Sequence, residues 1–361
     1  MPFEPAAHAL AIATATGPAR LDPARALAPF LKWPGGKSDE LRSIAAAAPR
    51  LTGRFLDPFV GGGSVLLAVP PGIPAEANDT CPELVALYRG GATDDPALRS
   101  ELLRLSDAWE ALTETAELYA GLRHAFANGA PAEIRPLVRA HAIRLRAVAE
   151  QVGLAGPEAF LDRVERGLGR KFDRMASVER RVGRRLSDED LDANVEGAVR
   201  AALYGAVRDR YNVARAAGHH GPGRAADFLF LRELAYAAMF RFNARGGFNV
   251  PYGGVSYNRK SLREKVDHLF GGPMRARLAA TRFHEGDFAD FLAAVAPEPG
   301  DFVFVDPPYD SDFSAYDGRS FGASDQVRLR DALLALPSRV MVVIKATPAI
   351  RALYADDRWW V

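Results

Sequence analysis

"RFLDPFVGGGSVLLAV", residues 54–69, opens with a short apolar run, passes through Asp-Pro and three consecutive glycines, and resumes in apolar residues. That order reads as a buried strand, a tight loop and a helix, the opening unit of a doubly wound α/β sheet. In such a sheet the ligand lies beyond the carboxyl ends of the strands, where a glycine loop lets it approach the backbone closely. The loop does not follow the dinucleotide pattern G-x-G-x-x-G, because Leu66 stands where a third small residue is needed.

More units of the same kind flank a long insertion. "GIPAEAND" (72–79) reads as a second strand, followed by a helix in "PELVALYR" with Pro82 in its first turn. Near the carboxyl end, "TRFHEGDFADFL" (281–292) reads as strand, turn and helix. "GDFVFVDPPYD" (300–310) reads as a buried strand ending in a turn, and "SRVMVVIKATPAIRALY" (338–354) as strand, turn and helix. Between them, residues 91 to about 235 carry Ala, Leu, Arg and Glu at helical spacing, broken at "NGAP", "GLAGPEAF" and "GHHGPGRAAD". "FLFLRELAYAAMFRF" (228–242) reads as one more helix, and "NARGGFNVPYGGVSYNRKS" (243–261) as a hairpin or ordered loop. The expected organisation is a leader over 1–27, a catalytic domain from 28–90 and 282–361, and a mostly helical insertion over 91–281.

With 361 residues, 48% hydrophobic and 25% charged, the chain can bury a large core. The lone cysteine, Cys81, excludes an internal disulfide and a cysteine-built metal site, and fits a reducing, cytoplasmic compartment. The histidines show no metal-ligand spacing, so no metal is expected. No apolar run approaches a membrane span. Glu4 stands where a signal peptide would carry a basic residue, so the leader is expected to be disordered. The net charge of +1 hides a local excess: Asp162 to Arg185 holds nine Lys/Arg against four acids. This stretch suits a solvated helix face or a phosphate-attracting one.

Two other stretches narrow the chemistry. "LKWPGGKSDE" (31–40) ends like a phosphate loop, yet Leu31 occupies the position of its first glycine and the lead-in is broken by prolines. Asp79, sixteen residues after Gly63, ends the second strand, where an acid hydrogen-bonds ribose hydroxyls. A ribose site without a pyrophosphate loop suggests S-adenosylmethionine. "DPPY" (306–309) suits an exocyclic base amine, whose lone pair is delocalised into the ring. The Asp306 carboxylate and Pro307 carbonyl can accept its two hydrogens, Pro308 stiffens the turn, and Tyr309 offers a face for stacking. Such a base is out of reach inside a duplex and must be flipped out.

With these motifs in order, the sequence resembles the Dam-type DNA adenine N6-methyltransferases. "FLKWPGGK", "FLDPFVGGGSVLL", "NDTCPELVALY", "YGAVRDRYN", "RFNARGGFNVPYGG", "HEGDF" and "FVDPPYD" carry the resemblance. It implies a Rossmann-like methyltransferase sheet with a helical target-recognition insertion, S-adenosylmethionine as cofactor and double-stranded DNA as partner. A companion restriction endonuclease acting on the same site is compatible with it. Trp33, Lys37, Phe59, Gly61, Gly63, Asp79, Asp287, Phe288 and Asp306 would border the cofactor. Lys37 would either reach the cofactor's carboxylate or order the acids around it.

Asn243, Arg245, Phe248, Asn249 and Tyr252 would fall in the target-recognition hairpin, where Arg and Asn suit base edges and Phe or Tyr can wedge into a stack. The same aromatics and glycines also suit a hairpin folded against the catalytic domain, and both readings stay open. N4-cytosine methylation and a DNA-binding relic without turnover are the alternatives; Asp before Pro-Pro-Tyr favours adenine. Three departures from the family stand out. Cys81 replaces the usual Asn, the insertion is unusually long, and the family would continue past "DDRWWV" through another strand or two.

Overall fold

A computed structural model describes residues 19–308, 321–355 and 358–359. Tyr309 and residues 1–18 lie outside the described residues. Five strands, β1 (Phe55–Asp57), β2 (Ala75–Asp79), β3 (Thr281–Glu285), β4 (Phe302–Val305) and β5 (Arg339–Val342), form one sheet in the order β3-β2-β1-β4-β5. Every pairing is parallel. The order reverses between β1 and β4, so their carboxyl ends flank the crevice of a doubly wound sheet.

Burial of the sheet on both faces explains why its central strands are apolar throughout. β4, "FVFV", is buried at all four positions. Phe302 and Phe304 point into the larger core, whereas Val303 and Val305 join Leu56 under α12 (Phe288–Val295) and α13 (Ala323–Leu334). Phe55 of β1 meets Phe302 edge-on, ring centroids 5.9 Å apart. At the opposite strand ends Arg54 bridges three segments, with Nη2 2.7 Å from Asp301 and Nη1 2.9 Å from Glu76.

The stretch after the glycine loop departs from expectation. In place of an α-helix it forms a single 3-10 turn, Leu66–Ala68. Leu66, Leu67 and Ala68 are all buried, and Pro70-Pro71 stops any continuation. Part of the expected leader is packed: the N–H of Asp22 donates to Ala68 O and that of Leu27 to Leu67 O, and Leu21 is buried.

α1 (Leu41–Ala47) precedes β1, and α2 (Pro82–Thr93) follows β2. The insertion then runs through α3 (Pro96–Ala111), α4 (Ala116–Ala127), α5 (Ile134–Ala140), α6 (Ala142–Gln151), α7 (Pro157–Val182), α8 (Asp188–Ala216), α9 (Pro222–Leu234), α10 (Arg263–Leu269) and α11 (Gly272–Ala279). α14 (Pro348–Leu353) follows β5. Helix α9 ends eight residues before the sequence pattern suggests, at Leu234 and not Phe242. Ala237 and Ala238 turn the chain through left-handed conformations (φ 52° and 51°); Phe240 then stacks on Phe248, and Phe242 meets both rings edge-on. Aromatic packing overrides the helical pattern here.

Candidate active site

Three acids stand at the carboxyl ends of adjacent strands: Asp57 after β1, Asp79 after β2 and Asp306 after β4. They surround a cavity of ≈ 240 Å³ whose walls also include Trp33, Lys37, Phe59 and the glycine loop. Of the residues expected from sequence to border the cofactor, these are the ones brought together. Pro307 and Pro308 line the same cavity.

The glycine loop is shaped by its neighbours. Gly61 has φ +47°, and a Cβ there would lie 2.7 Å from Trp33 Cδ1; Gly63 has φ +73°, and a Cβ would lie 2.6 Å from Tyr88 Oη. Glycine is thus required both by backbone conformation and by close approach. The Tyr88 hydroxyl donates to Gly61 O at 2.8 Å. Asp79 Oδ2 accepts the Gly61 N–H at 3.0 Å, and its Oδ1 accepts the Cys81 N–H at 2.9 Å. The Cys81 backbone thus serves the site, while its thiol donates away from the loop, to Glu83 at 3.6 Å. Cys81 is not among the described residues that line the cavity.

Lys37 is buried, its Nζ 2.6 Å from Asp306 Oδ2 and donating at 2.6 Å to Gly35 O. Of its two expected roles, the geometry supplies the ordering of an acid. Trp33 packs on the glycine loop and lies 4.9 Å from the Arg232 guanidinium, a cation–π contact. Arg232, buried in α9, also donates to Lys32 O, so the insertion braces the strand-end loop. Asp57 is buried, and it accepts the Phe59 N–H at 3.1 Å. Burial pushes its carboxyl well above the usual carboxylate range, and the nearby Asp306 and Asp79 carboxylates add to the effect.

The sequence reading missed Asp57, Tyr88 and Arg232. A signal for Asp57 was present, because "FLDP" repeats the strand-Asp-Pro pattern of "FVDP". Nothing local marks Arg232, whose partner lies two hundred residues away in sequence.

Two expected cofactor neighbours are set back from the cavity wall. Asp287 caps α12 by accepting the Ala289 N–H at 2.9 Å and pairs with Arg328 at 2.9 Å. Phe288 stands behind Phe59, ring centroids 5.5 Å apart, and Phe321 closes the cluster against both.

The segment expected to recognise DNA divides into an inner and an outer set. Phe248 is buried against Phe240 and Phe242, and Tyr252 packs on Trp109 and Tyr204 with its hydroxyl donating to Asn258 Oδ1 at 2.9 Å. These ring contacts hold the loop on the helical insertion, while Tyr252, half-buried, also lines a groove between α7 and α8. Asn243, Arg245 and Asn249 are exposed. Asn243 Oδ1 accepts the N–H groups of Arg245 (2.9 Å) and Gly247 (3.0 Å), which fixes the turn.

Among the described residues, no group of His, Cys, Asp and Glu is arranged to hold a metal ion. Likewise no helix there is long and apolar enough to cross a membrane.

Comparison with known proteins agrees with this geometry. The family model "D12 class N6 adenine-specific DNA methyltransferase" matches residues 33–165 and 189–361. The chain is 24% identical over 327 residues to the Type II methyltransferase M.CviBI of Paramecium bursaria Chlorella virus NC1A, covering 90% of this chain and 86% of that protein. It is 25% identical over 341 residues to the Type II methyltransferase M1.LlaDCHI of Lactococcus lactis subsp. cremoris, covering 91% and 85%. A shorter stretch of 128 residues is 35% identical to the DNA adenine methylase of Serratia marcescens, covering 34% of this chain and 44% of that one. Strand order, glycine loop and matched length together place the chain in the family of D12 class N6 adenine-specific DNA methyltransferases.

Proposed function

We propose that the chain transfers a methyl group from S-adenosylmethionine to N6 of adenine at a specific word in double-stranded DNA, with the target base flipped from the helix. One observation carries the reading: Asp306 and the Gly61–Gly63 loop face the same cavity, with Lys37 holding the Asp306 carboxylate. The donor set fits this cofactor. Asp79 and Asp306 suit a molecule bearing a sulfonium and an ammonium, and Lys37, the basic residue among the described residues of the cavity wall, is paired with Asp306 and so offers little to the phosphates of a nucleotide. Trp33 and Phe59 offer apolar walls, while Asp79, its carboxylate oriented by two backbone N–H groups, is placed to accept ribose hydroxyls.

S-adenosylmethionine, when bound, supplies an electrophilic methyl carbon. The protein's part is to make the amine nucleophilic and to aim it. Asp306 accepts one N6 hydrogen and the Pro307 carbonyl the other, drawing the lone pair out of conjugation. Lys37 fixes the direction of the Asp306 carboxylate, and Pro308 stiffens the turn. Tyr309 is assigned the stacking face for the flipped base. Transfer would form an N–C bond as the cofactor's S–C bond breaks to leave a neutral thioether, and the amine's extra proton would pass to solvent afterwards, so Asp306 need not be a strong base. Exposed Asn243, Arg245 and Asn249 are assigned to base-edge and backbone contacts. Likeness over most of the length to two Type II methyltransferases supports a modification role beside a restriction endonuclease reading the same word.

Incubation with methyl-labelled S-adenosylmethionine and mixed-sequence duplex DNA, followed by digestion to nucleosides, tests the proposal. Label in N6-methyladenine is the expected result. Label in N4-methylcytosine, or none at all, overturns it.

A further inference from the structure

α7 and α8 pack side by side, and one flank of their seam opens into a groove of ≈ 560 Å³ away from the methyl-transfer cavity. Its depth comes from small residues, Gly197, Ala201 and Gly205, one helical turn apart on α8, facing Gly167 on α7. Its rim is basic: Arg163, Arg170, Lys171 and Arg174 from α7 and Arg208 from α8. Arg163 and Arg208 share the Asp209 carboxylate. Among the described residues no carboxylate pairs with Arg170, Lys171 or Arg174, and Lys171 donates to the neutral Asn194 amide at 3.2 Å. Burial, with Arg174 nearby, holds the Lys171 ammonium below its ordinary range. An anion in the groove would relieve both.

Two observations indicate which anion. Residues 166–188 fall in the gap of the family match, and there Lys and Arg outnumber Asp and Glu eight to three. Six of these eight, Arg166, Arg170, Lys171, Arg174, Arg180 and Arg181, lie on α7. The groove is also closed at one side by Pro251, Tyr252, Gly254 and Val255, the continuation of the segment that exposes Asn243, Arg245 and Asn249. One wall of the groove is thus continuous in sequence with those exposed residues. Arg170 and Arg174 lie one helical turn apart, about 5–6 Å between Cβ atoms, a spacing that suits a row of phosphates better than a single small anion.

We propose that the α7–α8 groove is a second DNA contact, in which Arg170, Lys171 and Arg174 hold the sugar–phosphate backbone beside the recognised word. The proposal rests on the reading that the chain acts on duplex DNA. It adds affinity and register, not base choice.

The test is binding of the full chain to random-sequence duplex DNA across a salt series, scored by fluorescence anisotropy. The triple variant R170Q/K171Q/R174Q should lower the slope of log affinity against log salt by about two to three, at about 0.9 for each phosphate the protein no longer neutralises. A control triple outside the groove, R42Q/R135Q/R144Q, should change it far less. R170K/R174K should keep the wild-type slope, and A201E, which places a carboxylate on the floor, should weaken binding even if the triple variant folds poorly. Equal slopes for the groove and control triples, wild-type binding by A201E, or a loss confined to single-stranded RNA would each overturn the proposal. Because binding is read without turnover, its failure is separable from that of the methylation reading, which is scored by nucleoside digestion of the wild-type product.

Discussion

In the proposed reaction Asp306 is the side chain on which the chemistry converges; its carboxylate meets both the buried Lys37 and the cavity. Asp306→Ala should lower kcat by roughly 10²–10³-fold, the scale of losing one aligned polar group at a reacting centre. The buried Lys37 ammonium loses that carboxylate, so the unfolding midpoint should fall as well; labelled methyl transfer and thermal unfolding measure the two quantities. Gly61→Ala adds a methyl group against Trp33 in a left-handed backbone, an expected cost of about 1–3 kcal/mol with weakened cofactor affinity. Denaturant titration and calorimetric binding would show both effects, and an unchanged protein would mean that Trp33 moves aside freely.

Asp57 makes a pH-dependent prediction. Its folded carboxyl is raised by burial, so its contribution to stability is full below the unfolded value of about 4 and fades as pH rises through the folded one. Asp57→Asn keeps an acceptor for the Phe59 N–H without the titration. The melting temperature of the variant relative to the wild type should therefore climb as pH increases from about 4. A constant difference across that range would contradict the assignment.

At the scale of elements, the loop after α9 is held by rings together with two isolated antiparallel bridges, Phe242 with Phe248 and Ala235 with Tyr252. Phe240 and Phe248 stack at 4.7 Å, and the Asn212 amide clamps Phe248 with hydrogen bonds of 3.0 Å and 2.8 Å to its carbonyl and N–H. Phe248→Ala should cost about 3–5 kcal/mol and loosen the exposed Asn243, Arg245 and Asn249. DNA discrimination should then fall while cofactor affinity, measured by calorimetry, is retained. Equal loss of both would mean that the loop supports the cavity more than the DNA. The short turn at Leu66–Ala68 shows a related effect: a fully apolar segment under Pro70-Pro71 gains more from burial on every side than from helical hydrogen bonds.

For the whole molecule, the joint between sheet and insertion matters most. Glu83 of α2 is buried and accepts from the Tyr211 hydroxyl of α8 at 2.7 Å and from Arg224 Nε of α9 at 2.8 Å. This carboxylate ties two helices of the insertion to the cofactor-side helix. Glu83→Ala leaves the Arg224 guanidinium buried without that partner, and should cost about 3–5 kcal/mol by chemical denaturation. A loss under about 1 kcal/mol would show that solvent or a neighbour replaces it.

Local order alone made much of this protein legible. The apolar strands "FLDP" and "FVDPP", the glycine run between strand and turn, and the acid ending β2 each obey constraints acting over a few residues, so the doubly wound sheet and its ligand edge could be read directly. Tertiary structure decided what depends on distant partners. It set Lys37 on Asp306, Arg232 on Trp33, Tyr252 against Trp109 and Tyr204, and Asp287 at a helix cap. It also turned a charge run on one helix into the rim of a groove by packing α8 beside it. Side-chain burial and ion pairing are settled by long-range packing, and no window of sequence contains both halves of such a contact.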